Sequence, residues 1–301
     1  MKVVELSGGV GGARLARGLD RLENVDLTIV VNVGDDEDIH GLHVSPDIDT
    51  VVYTLAGIEG PHGWGRSGDT FETNREIAVL GQDNTFQLGD RDLAMNILRT
   101  KALRDGVPLS EFTSGIAKHL GLSAAVLPAT DGKQRTMLET ASGEVLGFQE
   151  YFVLRQTRDT VTAVRFAGSP SPAPGVLDAI RAADVVMIAP SNPPLSIWPI
   201  LDLAGVREAV AQHPDVVAVS PLFGGKALKG PADRVMASLG LPPGNAGVLA
   251  AYEGLLNRLI VDDSDSGDVA KFGGEVSVSA LETRIIEADA ARTFCMEVLG
   301  L

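Results

Sequence analysis

The chain has 301 residues, of which 45% are hydrophobic and 22% are charged. At about 150 residues per domain, this length allows one large α/β domain or two small ones, and the composition argues against a disordered chain or a coiled coil. Asp and Glu number 40 against 25 Lys and Arg, a net charge of −15 at pH 7. Because a nucleic-acid backbone is bound through basic surfaces, we expect no nucleic-acid partner. A polyphosphate ligand is still compatible with this charge, since a glycine-rich loop or a divalent cation can neutralise it locally.

The single cysteine, Cys295, allows no intrachain disulfide, which is typical of proteins from a reducing cytoplasm. The apolar stretch at the N-terminus is too short for a signal peptide, and no apolar run is long enough to span a bilayer. We therefore expect a soluble, cytoplasmic protein without a membrane partner.

The start of the chain predicts a strand, a glycine turn, a helix and a second strand, in that order. Residues 3–6 are an apolar run, residues 7–12 are rich in glycine, and residues 13–19 carry apolar side chains at helical spacing. Residues 27–31 form the second β-rich run. Two strands that bracket one helix predict a right-handed, parallel βαβ unit.

The rest of the chain has a helical block, a β-rich block and a return to strand and helix alternation. Residues 69–122 have a mainly helical pattern, and β-branched and aromatic residues between 134 and 166 predict a small antiparallel sheet. After a proline-rich linker, the pattern predicts buried strands at 184–189 and 216–220, a late strand near 259–261 and a helix at about 288–299.

These elements predict an α/β fold, with a Rossmann-like, mostly parallel sheet, a helical block and a small antiparallel insertion. We expect a single catalytic unit over residues 1–301. In this unit residues 1–68 and 168–301 form the α/β core, and residues 69–167 form a helical and β insertion that covers the site.

The glycine turn between the first strand and the first helix is a candidate phosphate site. Without side chains at Gly8, Gly9, Gly11 and Gly12, backbone N–H groups and the helix N-terminus can approach a phosphate. The turn lacks the Gly-Lys-Ser/Thr of a Walker A motif, and Asp20 does not follow a second strand as a ribose-binding acid does. A tight turn without a ligand is the structural alternative.

Several aspartates follow the second strand, in Gly-Asp-Asp (residues 34–36), at Asp38 and in Pro-Asp-Ile-Asp (residues 46–49). We expect them to crowd the carboxyl edge of the sheet, where such a negative excess suits Mg²⁺ held by one or two carboxylates plus substrate phosphate. Asp36 and Asp49 are the candidate metal ligands, and capping or turn chemistry is the alternative. Asp49, at the end of the cluster, is also the candidate catalytic residue.

Two residues outside these motifs are candidates for ligand contact. Trp64 stands in a glycine-rich loop and could stack on a planar ligand, or plug the space under the loop. Arg91 lies at a predicted helix start, where the helix dipole disfavours a cation. Its charge therefore suggests an anionic or polar partner, or a local pair with Asp90 or Asp92.

Two more loops follow predicted strands in the second half of the chain. Ser191 and Asn192 come after the strand at 184–189, and Gly225 and Lys226 come after the strand at 216–220. Open α/β sheets bind ligands at the carboxyl ends of their strands. Together with the glycine turn, these loops predict a crevice for a nucleoside diphosphate.

Motifs over nearly the whole chain match one known family. They are Ser-Gly-Gly-Val-Gly-Gly-Ala-Arg (residues 7–14), Val-Asn-Val-Gly-Asp-Asp (31–36), His-Gly-Leu (40–42), Pro-Asp-Ile-Asp-Thr-Val-Val-Tyr-Thr-Leu-Ala-Gly (46–57), Leu-Gly-Asp-Arg-Asp-Leu-Ala (88–94), Leu-Pro-Ala-Thr (127–130), Pro-Ser-Asn-Pro-Pro-Leu-Ser-Ile (190–197) and Gly-Gly-Lys-Ala-Leu-Lys-Gly-Pro-Ala-Asp (224–233). In these motifs the chain resembles the 2-phospho-L-lactate transferase family, including its bacterial phosphoenolpyruvate transferase branch.

The resemblance implies a step in the synthesis of the deazaflavin coenzyme F(420). A guanosine-diphosphate-linked donor passes 2-phospho-L-lactate, or its enolpyruvyl counterpart, to the terminal ribityl hydroxyl of the deazaflavin FO, and GMP leaves. The family uses Mg²⁺ and tends to form homodimers. By motif position, Asp49 and Arg91 match its deazaflavin-contacting aspartate and basic residue. The family often has cysteine where this chain has Ser45, so no role is assigned to a thiol.

The sequence leaves a second class of function open. A related family of the same fold contains nucleotide-sugar-binding regulatory proteins, with a similar glycine-rich start and Ser-Asn-Pro loop. Its pattern after the paired aspartates is rich in serine and glycine, whereas this chain has Glu-Asp-Ile-His-Gly-Leu over residues 37–42. The enzyme is the favoured hypothesis, and the motifs do not separate a lactyl from an enolpyruvyl donor.

Overall fold

The computed structural model describes residues 1–272 and 274–301, and its centre is a sheet of seven strands. In chain order these are β1 (Lys2–Ser7), β2 (Asp26–Val31), β3 (Ala125–Pro128), β4 (Val185–Ile188), β5 (Val216–Val219), β6 (Arg258–Asp262) and β7 (Ser277–Leu281). All neighbouring strands are parallel, and their order across the sheet is β3-β2-β1-β4-β5-β6-β7. The predicted Rossmann-like sheet is therefore confirmed.

The helices cover both faces of this sheet, which is why its strands β4 and β5 are apolar along their whole length. They are α1 (Gly9–Asp20), α2 (Pro46–Leu55), α3 (Glu72–Val79), α4 (Asp90–Arg104), α5 (Leu109–His119), α6 (Val176–Ala182), α7 (Trp198–Leu201), α8 (Val206–Ala211), α9 (Ala232–Ser238), α10 (Asn245–Ala251) and α11 (Ala288–Leu299). One hydrophobic cluster joins the sheet to α1, α2, α5 and α11, and another joins its opposite face to α6, α7, α8 and α10.

The first helix packs closely on the last. A Cβ added at Gly18 of α1 would lie 2.6 Å from the carbonyl oxygen of Ala291 in α11. The buried thiol of Cys295 also lies on α1, 3.8 Å from the carbonyl oxygen of Leu15. Glycine at position 18 therefore sets how closely the two helix backbones approach.

Smaller elements decorate the sheet. They comprise an antiparallel sheet of Arg135–Thr140, Val145–Gly147 and Val161–Ala167, hairpins of Glu37–Ile39 with Leu42–Val44 and of Leu222–Phe223 with Lys226–Ala227, π-helical turns at Glu150–Leu154 and Pro193–Ile197, and a 3₁₀ turn at Asp263–Asp268. The three-stranded sheet confirms the predicted antiparallel insertion.

The segment 69–167 is more than an insertion, which corrects the predicted division of the chain. Its strand β3 pairs with β2 in the central sheet, and Leu109 of α5 belongs to the central core. The sequence pattern missed β3 because this edge strand has only four residues, and only Val126 and Pro128 among them are buried.

The order of the strands also places the site. β1 lies between β2 and β4 in the sheet. The loops that follow β1 and β4 therefore meet at the carboxyl edge, where open α/β sheets bind their ligands. In the described part of the chain, no helix has the length and apolar character needed to cross a bilayer.

Candidate functional site

The glycine turn after β1 and the loop after β4 are packed against each other. A Cβ on Gly8 would lie 2.7 Å from the Cβ of Ser196, and one on Gly11 would lie 2.5 Å from the carbonyl oxygen of Pro190. These distances are too short for any side chain. The space left by Gly8 and Gly11 is therefore occupied by the loop after β4, and the predicted approach of a phosphate to these glycines stays a prediction.

Ser191 ties the two loops together. Its hydroxyl donates to the carbonyl oxygen of Gly8 at 2.6 Å and lies 3.3 Å from the Gly8 amide nitrogen. Gly12 also needs to be small, because a Cβ there would lie 2.2 Å from the hydroxyl of Ser7 and 3.3 Å from that of Ser191. Asn192 has a local role, since its side chain accepts from the amide of Leu195 at 3.4 Å in the turn that follows.

One amide of the glycine turn already has an anionic partner. Gly9 adopts a φ of +66°, and its N–H donates to Asp47 of α2 at 2.8 Å. The other oxygen of Asp47 accepts from Asn32 at 3.0 Å. Burial raises the pKa of Asp47 to about 6. While this carboxyl accepts from Gly9, a phosphate has to bind to other groups of the turn.

Asp36 and Asp49, the predicted metal ligands, each have one oxygen held and one free. Asp36 accepts at the same oxygen from Ser45 at 2.8 Å and from His43 at 2.9 Å. Asp49 accepts at one oxygen from Arg99. The second oxygen of each carboxyl, Oδ1 of Asp36 and Oδ2 of Asp49, is shielded from solvent and has no partner among the described residues.

Four acidic residues of this segment are at most 6% exposed: Asp35, Asp36, Asp47 and Asp49. Burial raises the pKa of Asp49 to about 7, and the neighbouring carboxyls oppose the lowering effect of Arg99. Burial and then Asp47 raise the pKa of Asp35. The predicted carboxylate cluster is thus formed by the structure, except for Asp38, whose side chain is 60% exposed.

Arg99 is the residue of this cluster that the sequence pattern did not reveal. It is 1% exposed, donates to Asp49 and to Asn96, and lies over the ring of Phe112 at 5.8 Å. The polar residues at 96, 99 and 100 of α4 are buried, while the apolar ones at 97 and 98 are about half exposed. This inverted amphipathicity, with polar residues at helical spacing, is the signal that could have identified it.

The Trp64 side chain does not fill the space beneath its own loop. Its side chain is 54% exposed and its ring centroid lies 5.9 Å from that of His62. The loop itself sits on α1, because a Cβ on the neighbouring Gly63 would lie 2.7 Å from Val10. An exposed indole is therefore held beside the first turn of α1.

Arg91 is linked to the same loop. Its guanidinium donates to the carbonyl oxygen of Ser67 at 2.8 Å. In the described part of the chain it forms no ion pair with Asp90, which caps α3, or with Asp92, which accepts from the hydroxyl of Tyr53 at 2.7 Å. The local ion pair considered for Arg91 is therefore wrong, and its charge is exposed beside the Trp64 loop.

Gly225 and Lys226 lie further along the same edge of the sheet. They belong to the hairpin after β5, where the amide of Gly224 donates to the hydroxyl of Ser264 at 2.9 Å. Among the described residues no hydrogen bond joins this hairpin to the glycine turn. The structure places both on the carboxyl edge but not in contact.

The described side chains do not by themselves form a complete cation site. Within residues 1–272 and 274–301, no three His, Cys, Asp or Glu side chains form a ready ligand set. Mg²⁺ is commonly held by only one or two carboxylates, with phosphate oxygens and water completing its shell. The unpartnered oxygens of Asp36 and Asp49 fit that pattern.

The chain matches known proteins over almost its full length. The family model described as 2-phospho-L-lactate transferase CofD matches residues 3–289. The phosphoenolpyruvate transferase of Streptomyces griseus is 38% identical, over 100% of this chain and 98% of that protein. The 2-phospho-L-lactate transferase of Methanopyrus kandleri is 41% identical, over 84% of this chain and 82% of that protein.

A solved structure supports the fold independently. A member of the upf0052 family from Bacillus halodurans superposes with a TM-score of 0.61 at 19% identity, over 93% of this chain and 92% of that one. At that identity the likeness establishes the fold alone. On the family match and the full-length relatives, the chain belongs to the 2-phospho-L-lactate transferase CofD family.

Proposed function

We propose that the protein transfers a phospho-carboxylic acid, 2-phospho-L-lactate or phosphoenolpyruvate, from a guanosine-diphosphate-linked donor to the ribityl hydroxyl of the deazaflavin FO. This would be a step of coenzyme F(420) synthesis in the cytoplasm. The observation that carries the proposal is the pair of unpartnered, buried oxygens on Asp36 and Asp49, in the carboxylate cluster whose Asp47 accepts from Gly9 of the glycine turn. The regulatory alternative has no support from the relatives compared, which are named transferases.

In the proposed reaction the ribityl oxygen bonds to the phosphorus of the phospho-acid. The bond from that phosphorus to the oxygen of the GMP phosphate breaks, and GMP leaves with the electron pair. Such a transfer depends on positioning and on charge neutralisation, with no covalent enzyme intermediate required. Backbone groups and carboxylates such as those at this site can supply both the positioning and the charge neutralisation.

The phosphates of the donor would lie at the start of α1, beside the joined loops of Gly8–Gly12 and Ser191. This twelve-residue helix points its N-terminus at the crevice and so favours negative charge there. The glycines at 8, 11 and 12 admit the loop after β4 and leave no room for a side chain. Gly225 and Lys226 would approach the same ligand from β5.

Asp36 and Asp49 would hold Mg²⁺ through their free oxygens. When bound, the cation neutralises the diphosphate and stabilises the charge of the departing GMP. His43 and Ser45 hold the other oxygen of Asp36, and Arg99 holds that of Asp49, so both carboxyls are oriented before the ligand arrives.

On the acceptor side, Asp49 would accept a hydrogen bond from the ribityl hydroxyl. The proton of that hydroxyl would pass to this carboxyl as the ribityl oxygen bonds to phosphorus. Trp64 offers an exposed aromatic face for the deazaflavin ring, and Arg91 supplies a donor beside it. The acceptor pocket would thus be bounded by α2, α4 and the Trp64 loop.

The test is to incubate the protein with FO, Mg²⁺ and each donor separately, and to identify the product by mass. We expect a phosphodiester of FO and an equal amount of GMP with at least one donor. Absence of product with both donors, from protein that is folded by circular dichroism, would refute the proposal. Light scattering in the same preparation tests the homodimer that the resemblance to the family implies.

A further inference from the structure

An acidic residue, Glu5, lies in the interior of β1, at the centre of the sheet. It is 0% exposed, and both oxygens of its carboxyl are shielded from solvent and have no hydrogen-bond partner among the described residues. Its register partners on the two neighbouring strands are Ile29 and Met187, which are buried and apolar. A buried polar group without a partner destabilises a fold, and natural sequences accept that cost mainly where the group serves function.

The surroundings of Glu5 favour its neutral, protonated form. Burial raises the pKa of this carboxyl well above its usual value, and the neighbouring Ser7 hydroxyl offsets the rise only in part. On α11, the titratable neighbour of Glu5 is the buried thiol of Cys295, whose pKa is raised by burial and by Glu5. In the described part of the chain no cation pairs with Glu5. A protonated carboxyl has an O–H group to donate, which the ionised form lacks.

Glu5 belongs to a row of polar atoms that leads to the glycine turn. Successive side chains of a strand alternate between the two faces of a sheet, so Glu5 and Ser7 lie on the same face. The hydroxyl oxygen of Ser7, the last residue of β1, is also shielded from solvent and has no partner within residues 1–272 and 274–301. The donor of a protonated Glu5 and the acceptor of Ser7 are therefore neighbours, and neither is used elsewhere.

Ser7 in turn lies against the start of α1. A Cβ on Gly12 would lie 2.2 Å from the hydroxyl oxygen of Ser7 and 3.3 Å from that of Ser191. Both hydroxyls therefore face the space that Gly12 leaves open. Ser191 already donates to the carbonyl oxygen of Gly8 at 2.6 Å. The polar row thus runs from the interior of β1, past Gly12, to the residue at which the glycine turn begins.

We infer that Glu5 is a positioning residue for the glycine turn: its protonated carboxyl donates to Ser7, which directs the Ser7 proton toward Ser191. Ser191 donates to Gly8, so the three side chains form one directed chain of hydrogen bonds, in which each bond polarises the next. This chain holds the turn against β1 before a ligand arrives. An ionised Glu5 only accepts, so Ser7 then turns its proton toward Glu5 and away from Ser191. The inference rests on the proposed function, which places the donor phosphates at the start of α1.

The experiment is a calorimetric titration of GDP, in Mg²⁺, into the full chain of the wild type and of Glu5 variants. Glu5→Leu fills a similar volume without a donor, whereas Glu5→Gln keeps an N–H donor that does not ionise. We expect Glu5→Leu to bind GDP about fivefold to tenfold more weakly, the order of one lost hydrogen bond, and Glu5→Gln to bind as the wild type does. Ser7→Ala should match Glu5→Leu. Thr113→Val, which removes another buried hydroxyl without a described partner, in α5, is the control and should leave GDP binding unchanged.

Stability separates positioning of the turn from general support of the fold. Glu5→Leu removes a buried polar group that has no partner, so its urea midpoint should equal or exceed that of the wild type while its affinity for GDP falls. A midpoint that falls together with the affinity would show that Glu5 supports the fold as a whole, and the inference would be wrong. An infrared difference spectrum between the wild type and Glu5→Gln at pH 7 should contain the carbonyl band of a protonated carboxyl.

The outcomes separate the inference from the function on which it rests. If the wild type binds GDP and Glu5→Leu binds it equally well, the inference is wrong while the proposed function stands. The same holds if Glu5→Gln binds as weakly as Glu5→Leu, or if the infrared band is missing, because an ionised carboxyl cannot donate to Ser7. If the wild type binds no GDP, the proposed donor fails and the inference fails with it.

Discussion

Arg99 of α4 donates to Asp49 of α2, and the two side chains are 1% and 8% exposed. The pair lies where α4 covers the carboxylate cluster. Arg99 therefore shields the cluster from solvent, and it orients the Asp49 carboxyl that we propose accepts a hydrogen bond from the ribityl hydroxyl. A buried ion pair of this kind is costly to break, because the remaining charge has no solvent to stabilise it.

Replacing Arg99 by Met should therefore lower the free energy of unfolding by about 3–5 kcal/mol, the usual cost of removing one partner of a buried pair. Urea denaturation at pH 7 measures it. Arg104→Met, in the same helix but exposed, should change stability little. A similarly small change in the free energy of unfolding for both variants would show that Arg99 is not needed to compensate the buried charge of Asp49.

Asp49→Asn should reduce turnover about 10²-fold or more, the scale for loss of a catalytic base or electrostatic group. Steady-state rates with FO and donor give the value, and circular dichroism checks the fold. Asp38→Asn serves as the control, since its side chain is 60% exposed. Turnover near wild type in a folded Asp49→Asn protein would remove this residue from the mechanism.

The buried carboxyls also predict an unusual dependence of stability on pH. The pKa of Asp47 is raised to about 6 and that of Asp49 to about 7, so the folded state binds protons that the unfolded state has already released. Their contribution to stability is present below pH about 4 and is lost as pH rises through about 6 to 7. We expect the free energy of unfolding, measured in EDTA, to fall between pH 5 and pH 8.

Variants identify the source of that decline. Asp47→Asn should flatten the slope, because the titrating group is gone, and the exposed Asp38→Asn should leave it unchanged. Stability that rises steadily from pH 5 to pH 8 in the wild type would contradict the raised pKa values.

Trp64→Ala should weaken FO binding by about 1–3 kcal/mol if a full stacking face is lost. Arg91→Ala should weaken it too, because Arg91 also holds Ser67 in the Trp64 loop. A fluorescence titration with FO measures both. Phe152→Ala, which removes another exposed aromatic, is the control. Unchanged affinity in both test variants would place the deazaflavin elsewhere.

Removal of the metal should abolish transfer. A polyphosphate donor approaches a chain of net charge −15 at its most acidic edge, where Arg99 is the buried basic partner of Asp49, so like charges repel unless a cation intervenes. EDTA should stop product formation, Mg²⁺ or Mn²⁺ should restore it, and donor binding should tighten with Mg²⁺. Full activity in chelator, with metal content verified as zero, would contradict this role.

The parts of the fold that follow from the sequence are those with strong local patterns. The βαβ start, the buried strands at 185–188 and 216–219 and the last helix carry uninterrupted apolar runs or clear helical spacing. β3 and β7 lack that signal, because both are short edge strands with partly exposed side chains. Their place is set by pairing with a neighbour, which no local pattern records.

In the candidate site, too, some features follow from local sequence patterns and others depend on how distant parts of the chain pack. The glycines and aspartates are evident as motifs because each group is contiguous in sequence. Arg99 is 50 residues from Asp49, and the bond between Asp47 and Gly9 spans 38 residues, so both depend on how helices pack. The exposure of Trp64 likewise follows from where its loop rests on α1, which composition alone does not determine.

The contact of Gly18 with α11 has a consequence for the order in which parts of the fold can form during synthesis. The helix that presents the glycine turn leaves the ribosome long before Ala288–Leu299, the helix that covers its back. Until α11 has been made, the Leu15 side of α1 lacks that cover. The nascent chain can therefore pair its early strands before the support behind the glycine turn is present.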